Sequence, residues 1–378
     1  MGKGKGKKIK IGEIDSRAIF SFENISSKIF NGKIQDIVEP IIKKHAKLED
    51  NNTNSGFVIL KKQPPLKIYE KTVKDIVKLE ETLNFLNQND AYFKGYKNSR
   101  GLIGATAASA WKLKKDRTYE LITYRIKEKW GKKRFVDDNS TKTMDKKIKT
   151  AFDNYDYKNK HNRLVPNSPC PVLYGIRGDN EQDLIKAKSL IKSEEIDSWI
   201  IFETNQGTDD HLQKKNLEDI QPFQSVIVTG VVCNPPKTIE GGHVIFSIKN
   251  SKKIIDCAAY EPTKKFRNII RELDIGDKVE VYGGVREKPL TINLEKIKII
   301  HLEKKYLKIE NPVCPKCKKH MKSIGKDQGF RCKKCKIKNN SPKLKEKKRK
   351  LNLGFYETPV CARRHLSKPL KRYDHKPF

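Results

Sequence analysis

Apolar positions recur first at helical spacing and later by alternation, and that change divides the chain near residue 225. Ile34, Ile37, Val38, Ile41 and Ile42 predict a helix over 34–48, kinked at Pro40. Short β-branched or aromatic runs predict strands over 18–22 and 57–60, and Val73, Ile76, Val77, Leu79, Leu83 and Leu86 predict one helix across 66–87. This opening reads as part of an α/β domain. A small-residue helix over 105–111 follows the segment 96–105, where Gly101 and Gly104 let backbone approach closely; a ligand and a neighbouring helix are both open as the reason. Strand 119–124, a charged connection over 128–145, a short strand inside 168–178, helix 181–192 and strand 198–203 form a layer that is ferredoxin-like in order.

From Ser225 the pattern is all-β. Strands are predicted over 226–232, 244–248, 254–258, 279–285 and 291–300, with one helix over 263–273 between the third and fourth. Five strands with a helix in that place is the order of an OB-fold, a barrel that commonly binds single-stranded nucleic acid.

The stretch Thr204–Leu212 leaves strand 198–203 carrying hydroxyls, amides, the adjacent carboxylates Asp209 and Asp210, and His211. Strand ends of this kind hold small-molecule sites, although the same acids could cap a helix starting near His211. Two other turn-rich segments offer polar groups: 151–156, with Asp153 and Asn154, and 168–178, with Arg177 and Gly178.

Two Cys-x-x-Cys pairs, Cys314/Cys317 and Cys332/Cys335, supply four thiolates for a closed tetrahedral structural Zn2+ site, with His320 a competing ligand. Cys170, Cys233, Cys257 and Cys361 are scattered, as in a reducing compartment. Charge then changes the picture. A formal net charge of +35 points to a polyanionic partner, a lysine-rich genome being the competing explanation. Lys316, Lys318, Lys333 and Lys334 make the zinc module a cationic contact for RNA. Residues 341–350 read as a flexible lysine-rich linker, and Arg363 and Arg364 in the tail either dock on phosphates or stay solvated. No apolar run approaches the roughly 20 residues of a membrane span, and the basic start lacks a signal-peptide core, so no membrane partner and a cytoplasmic location are expected.

Taken in order, several motifs resemble the archaeal agmatidine synthases of isoleucine tRNA, the 2-agmatinylcytidine synthetases. They are Asn51–Gly56, Arg100–Ala105, Phe152-Asp153-Asn154, Pro169–Gly178, Thr204–Leu212, the barrel region, the zinc ribbon and Ala362–Leu366. The resemblance implies an α+β multidomain chain: a partial kinase-like α/β domain (1–90), a ferredoxin-like agmatine-binding region (91–222), an OB-fold (223–305), a C-terminal zinc ribbon (306–340) and a basic tail (341–378). It implies ATP- and Mg2+-dependent ligation of agmatine to C2 of the wobble cytidine in isoleucine tRNA with a CAU anticodon. Agmatine would meet Asp153, Asn154, Thr208, Asp209 and Asp210, with Asp209, Asp210 and His211 catalytic and Gly101, Gly104, Arg177 and Gly178 beside the ligand.

The chain departs from the family's Ile-Gly-Ile-Asp-Asp-Thr-Asp-Ser opening, its nearest string being Ile11-Gly12-Glu13-Ile14-Asp15-Ser16. One expectation is therefore a separate N-terminal polypeptide that completes the site. A misassigned start, or a non-catalytic tRNA or single-strand-binding protein built on the barrel and ribbon, stays open.

Overall fold

The computed structural model describes residues 8–10, 33–46, 48–50, 53–112, 116–168, 170–325 and 328–373. The expected strand over 18–22 and the Ile11–Ser16 string lie outside them.

β1 (Lys8–Lys10) comes first in the chain, and the first body then holds α1 (Lys33–His45, with Pro40 inside), β2 (Gly56–Ile59), α2 (Leu66–Lys74), α3 (Leu79–Gln88), β3 (Tyr92–Gly95) and α4 (Gly101–Ala110). β2 and β3 pair antiparallel. The helix predicted across 66–87 is two helices. Asp75 turns extended and its carboxylate accepts the Ile76 N–H, while Gln213 Nε2 donates to Lys74 O and caps α2 from a distant strand.

The second body is a four-stranded sheet in the order β1-β6-β4-β5, with β4 (Thr118–Arg125) antiparallel to both β5 (Val172–Gly178) and β6 (Ile196–Thr204), and β1 parallel to β6. α5 (Asp138–Lys147) and α6 (Glu181–Leu190) contribute Met144, Leu184 and Ala187 to a core shared with Leu121, Leu173 and Ile176. α5 replaces the predicted charged connection. Its buried stripe is Ser140, Thr141 and Met144, two of them polar, so periodicity could not show it; Asp137 caps it by accepting the Ser140 N–H.

The third body is a closed five-stranded barrel: β8 (Ser225–Thr238), β9 (Val244–Lys249), β10 (Ile254–Ala259), β11 (Lys278–Arg286) and β12 (Thr291–His301), with α7 (Phe266–Arg271) between the third and fourth strands. β8 pairs with both β9 and β11, which closes the ring, and β7 (Leu212–Lys214) lies parallel on β8. Alternation places Val226, Val228, Phe246, Val279, Val281, Ile292 and Ile297 in one core.

Beyond the barrel, β13 (Tyr306–Glu310) pairs antiparallel with β14 (Lys343–Glu346) and carries the cysteine ribbon between them. The predicted linker 341–350 is thus structured. Arg349 donates to both oxygens of Asp277, which is fully buried, at 2.6 and 2.9 Å, and Leu351 enters the barrel core. Finally β15 (Gly354–Glu357) adds to β12, and residues 358–373 cross back over the second body.

Candidate functional site

The stretch after β6 is a turn and then a strand. Gly207 and Asp209 take left-handed φ of 65° and 63°, Leu212 N donates to Asp209 O, and β7 begins. No helix starts at His211, so the capping alternative does not hold. A Cβ on Gly207 would stand 3.3 Å from the Phe152 ring and from Pro369, so a larger residue would crowd this crossing as well as strain its φ.

The C-terminal segment lies directly on that turn. Gly207 N donates to His365 O at 2.7 Å and Asp209 N to Leu366 O at 2.8 Å. Arg372 reaches the Gly207 carbonyl and pairs with Asp179 at 2.6 Å and Asp116 at 2.7 Å. Residues expected to be a tail therefore form one wall of the strand end.

This wall changes the standing of several residues. Asp209 holds the buried Lys296 ammonium at 2.7 Å from both oxygens, and also accepts from Lys368 N and the Tyr373 hydroxyl. Asp153, with a left-handed φ of 55°, pairs with Arg363, whose other nitrogen lies 2.6 Å from Glu357. Burial pushes the Asp153 carboxyl above its ordinary range, with Arg363 and Arg177 pulling it back. Arg363 is accordingly buried in an internal ion pair and is not an RNA-facing cation, whereas Arg364 keeps an exposed side chain and donates to Glu295 at 2.9 Å. Asn154 bonds the Arg177 backbone at both ends of its amide, and the Thr208 hydroxyl donates to Asn205 O. Both are local braces.

Gly101 and Gly178 are packing glycines. A Cβ on Gly101 would collide with Asn54 O and stand 2.7 Å from Gly56 N; one on Gly178 would stand 3.0 Å from Leu184. Gly104 is buried inside α4. The close partner left open by the sequence is thus, for Gly101, the loop before β2.

Asp210 accepts the Tyr69 hydroxyl at 2.9 Å, and Tyr69 in turn accepts from Asn205 Nδ2 at 2.6 Å. Gln206 Nε2 donates to Glu120 Oε2 at 2.8 Å, and Arg177 Nε to Glu120 Oε1 at 3.2 Å. Among the described residues, Glu203 Oε2, Asn205 Oδ1, Gln206 Oε1 and His211 Nδ1 are buried without a hydrogen-bond partner. Four such atoms within nine residues, three of them acceptor oxygens, is a density expected where a donor-rich ligand binds. His211 Nε2 lies 3.0 Å from Glu295 Oε2. Burial would raise the Glu295 carboxyl, but His211, Arg364 and Lys296 outweigh it and hold it at about 2. An ionised carboxylate only accepts, so Nε2 carries a proton toward Glu295, while Nδ1 on the other side of the ring is buried without a partner.

The four sulfurs of Cys314, Cys317, Cys332 and Cys335 lie within 4.8 Å of one another, the geometry of a closed tetrahedral zinc site. His320 stands outside it, exposed, with Nδ1 on Asn311 O. Lys316, Lys318, Lys333 and Lys334 are all exposed on this knob.

Spacing gave no sign of Tyr69, Glu120 or the C-terminal wall. Glu295-Lys296 had one: two adjacent charges in the middle of a β-branched strand.

Family models agree with this arrangement along the chain. That of the TiaS TCKD domain matches residues 1–98, that of the TiaS FLD domain residues 99–211, and that of the TiaS C-terminal zinc ribbon residues 311–351. The tRNA 2-agmatinylcytidine synthetase TiaS of Methanocaldococcus jannaschii is 46% identical over 352 residues, covering 90% of this chain and 82% of that protein. The chain belongs to the TiaS family. The TiaS of Archaeoglobus fulgidus is 44% identical over 347 residues, covering 90% of this chain and 81% of its own. Among solved structures, a complex of TiaS with its isoleucine tRNA, AMPCPP and agmatine superposes with a TM-score of 0.80 at 40% identity, covering 92% of this chain and 83% of that one. A TiaS mutant lacking its ZRD, in complex with agmatine, gives 0.66 at 38% identity, covering 82% and 76%. Among the described residues no helix is long and apolar enough to cross a membrane.

Proposed function

We propose that this chain joins agmatine to C2 of the wobble cytidine of isoleucine tRNA with a CAU anticodon, using ATP, to give agmatidine. Membership of the TiaS family carries the activity. The observation that carries the site is the run of buried acceptor atoms without a partner, Glu203 Oε2, Asn205 Oδ1 and Gln206 Oε1, beside the Arg117 pair on Glu203 Oε1 at 2.7 Å; it suits a guanidinium or ammonium. Asp210 is the carboxylate we assign to agmatine, because Tyr69 joins it to Asn205 in that run. That the related ZRD-deleted protein was solved with agmatine supports a site outside the ribbon.

The attacking amine has an ordinary pKa near that of lysine, roughly 10.4, so it must lose a proton. His211 is the group we assign to receive that proton, because its Nδ1 is buried without a partner while Nε2 is engaged by Glu295. ATP supplies the activation that turns the C2 oxygen into a leaving group. We assign ATP to the TCKD stretch and the start of α4. The preceding turn supports this: Lys97 and Ser99 hold left-handed φ of 56° and 59°, and the Tyr96 hydroxyl is buried without a partner. Mg2+ belongs to this reading as the cation that would accompany ATP.

In this reading the bodies correspond to a kinase-like domain, a ferredoxin-like domain, an OB-fold and a zinc ribbon, divided near residues 90, 222, 305 and 340. The barrel and the ribbon lysines carry the RNA, Zn2+ is structural, and the enzyme works in the cytoplasm. The TCKD match falls within this chain, and the reading calls on no separate polypeptide. A non-catalytic barrel-and-ribbon protein would account for the charge but not for the strand-end acceptors or the family match.

The test is direct. The chain is incubated with ATP, agmatine and the isoleucine tRNA, and the wobble nucleoside is weighed. Agmatidine is expected; unmodified cytidine overturns the proposal.

A further inference from the structure

We propose that a second cavity, on the barrel beside the strand-end site, receives a nucleobase of the anticodon loop other than the modified cytidine and couples its recognition to His211. The inference rests on the tRNA-modifying reading above.

The cavity measures about 490 Å³ and is lined in part by Phe223, Gly284, Arg286, Asn293, Glu295 and Arg364. That volume is in the range of small-ligand sites. Phe223 keeps a left-handed φ of 69° with 62% of its surface exposed. For a bulky aromatic residue this is a strained backbone that glycine would relieve, and it is held by Phe223 N donating to Val285 O at 2.8 Å and Val285 N to Gln224 O at 2.7 Å. The strain serves to present an uncovered ring at the mouth of a cavity.

Arg364 adds a guanidinium. Glu295 Oε1 fixes it at 2.9 Å, yet 60% of its side chain stays exposed. Gly284 makes room for it, since a Cβ there would stand 2.9 Å from Arg364 Nη1. Asn293, on the same lining, has a buried Oδ1 acceptor without a donor. An aromatic face, a guanidinium plane and an unfilled acceptor are the parts that recognise an unstacked base; the acceptor suits one with an exocyclic amine, adenine, cytosine or guanine, over uracil. The high positive charge favours a base delivered on a polyanion over a free neutral ligand.

Glu295 ties the cavity to the chemistry. One of its oxygens takes Arg364 and the other takes His211 Nε2. A base stacked on Arg364 therefore bears on the carboxylate that holds the His211 ring, which makes Phe223, Asn293 and Arg364 specificity determinants rather than catalytic residues.

The experiment uses the full chain and isoleucine tRNAs made abasic at each anticodon-loop position in turn, with fluorescence anisotropy for affinity and nucleoside mass for kcat/KM. In the wild type, one abasic position outside the wobble should lower kcat/KM by about 10- to 100-fold. Phe223→Ala should lose the same factor on intact tRNA but nothing further on that abasic tRNA, and Phe223→Tyr should restore the wild-type rate. If Phe223→Ala fails to fold, Asn293→Leu carries the same comparison. Losses that multiply at every position, or a Phe223→Ala rate equal to wild type, overturn the cavity's role. Failure of the underlying reading looks different: the wild type would form no agmatidine on intact tRNA, while the anisotropy arms would still report whether the cavity binds a base.

Discussion

The ammonium of Lys296 sits 2.7 Å from both carboxylate oxygens of Asp209, sealed beneath Lys368 O and the Tyr282 and Tyr373 rings. One partner comes from the barrel and the other from the turn after β6, so the pair locks two bodies together with the C-terminal segment between them. Lys296→Met strands a carboxylate that is only 14% exposed and should cost about 3–5 kcal/mol, read as a lower urea midpoint and faster trypsin cleavage after residue 350. A double-mutant cycle with Asp209→Asn should show coupling above about 1 kcal/mol; additive effects would deny the pair its role.

Asp210 should behave differently from Asp209. Asp210→Asn is expected to raise the KM for agmatine about 10- to 100-fold through loss of a charge-assisted bond, with tRNA affinity unchanged. Asp209→Asn should lower stability and leave that KM within about 3-fold. Equal KM effects from both would return Asp209 to the binding site.

The acid limb of stability should report Glu295. Its folded pKa of about 2 lies below the ordinary 4.5, so its stabilising contribution is complete above about pH 4.5 and disappears as pH falls through 2. Unfolding free energies measured from pH 5 to pH 2 should fall less steeply in Glu295→Gln than in the wild type. Parallel curves would show that the carboxylate is not held ionised.

Chelation should separate the ribbon from the site. Stripping zinc, or Cys317→Ser, is expected to release one Zn2+ per chain, unfold 311–351 and weaken tRNA binding, while agmatine affinity by calorimetry stays within about 2-fold. Loss of agmatine binding along with the metal would place the ribbon in the small-molecule site.

Gly101→Ala should be destabilising although alanine favours helices. Its Cβ would press on Asn54 O, Ser55 C and Gly56 N, backbone atoms that cannot swing aside, at a cost of about 1–3 kcal/mol seen as a lower thermal midpoint. A midpoint at or above wild type would refute close packing.

The barrel was almost fully legible because each of its strands buries alternate residues against one core, and the predicted spans agree with the five observed strands to within a few residues, β8 excepted, which runs on to Thr238. The zinc ligands were equally plain, since a tetrahedral site within a short ribbon writes its geometry into local spacing. α5 escaped because its buried stripe is largely polar, and the break after α2 because its cap arrives from Gln213.

The site divides along the same line. By itself the sequence determined that β6 ends in a polar turn, that a barrel and cationic ribbon follow, and which family the motifs resemble, because all of these are local or ordered along the chain. Only the tertiary structure decided that Asp153 and Asp209 enter internal ion pairs and that Asp210 meets Asn205 through Tyr69. The partners of Asp153 and Asp209 are Arg363 and Lys296, 210 and 87 residues further on, and nothing near the acids announces them. Ion pairing acts through distance in space and burial, and neither is written in local sequence.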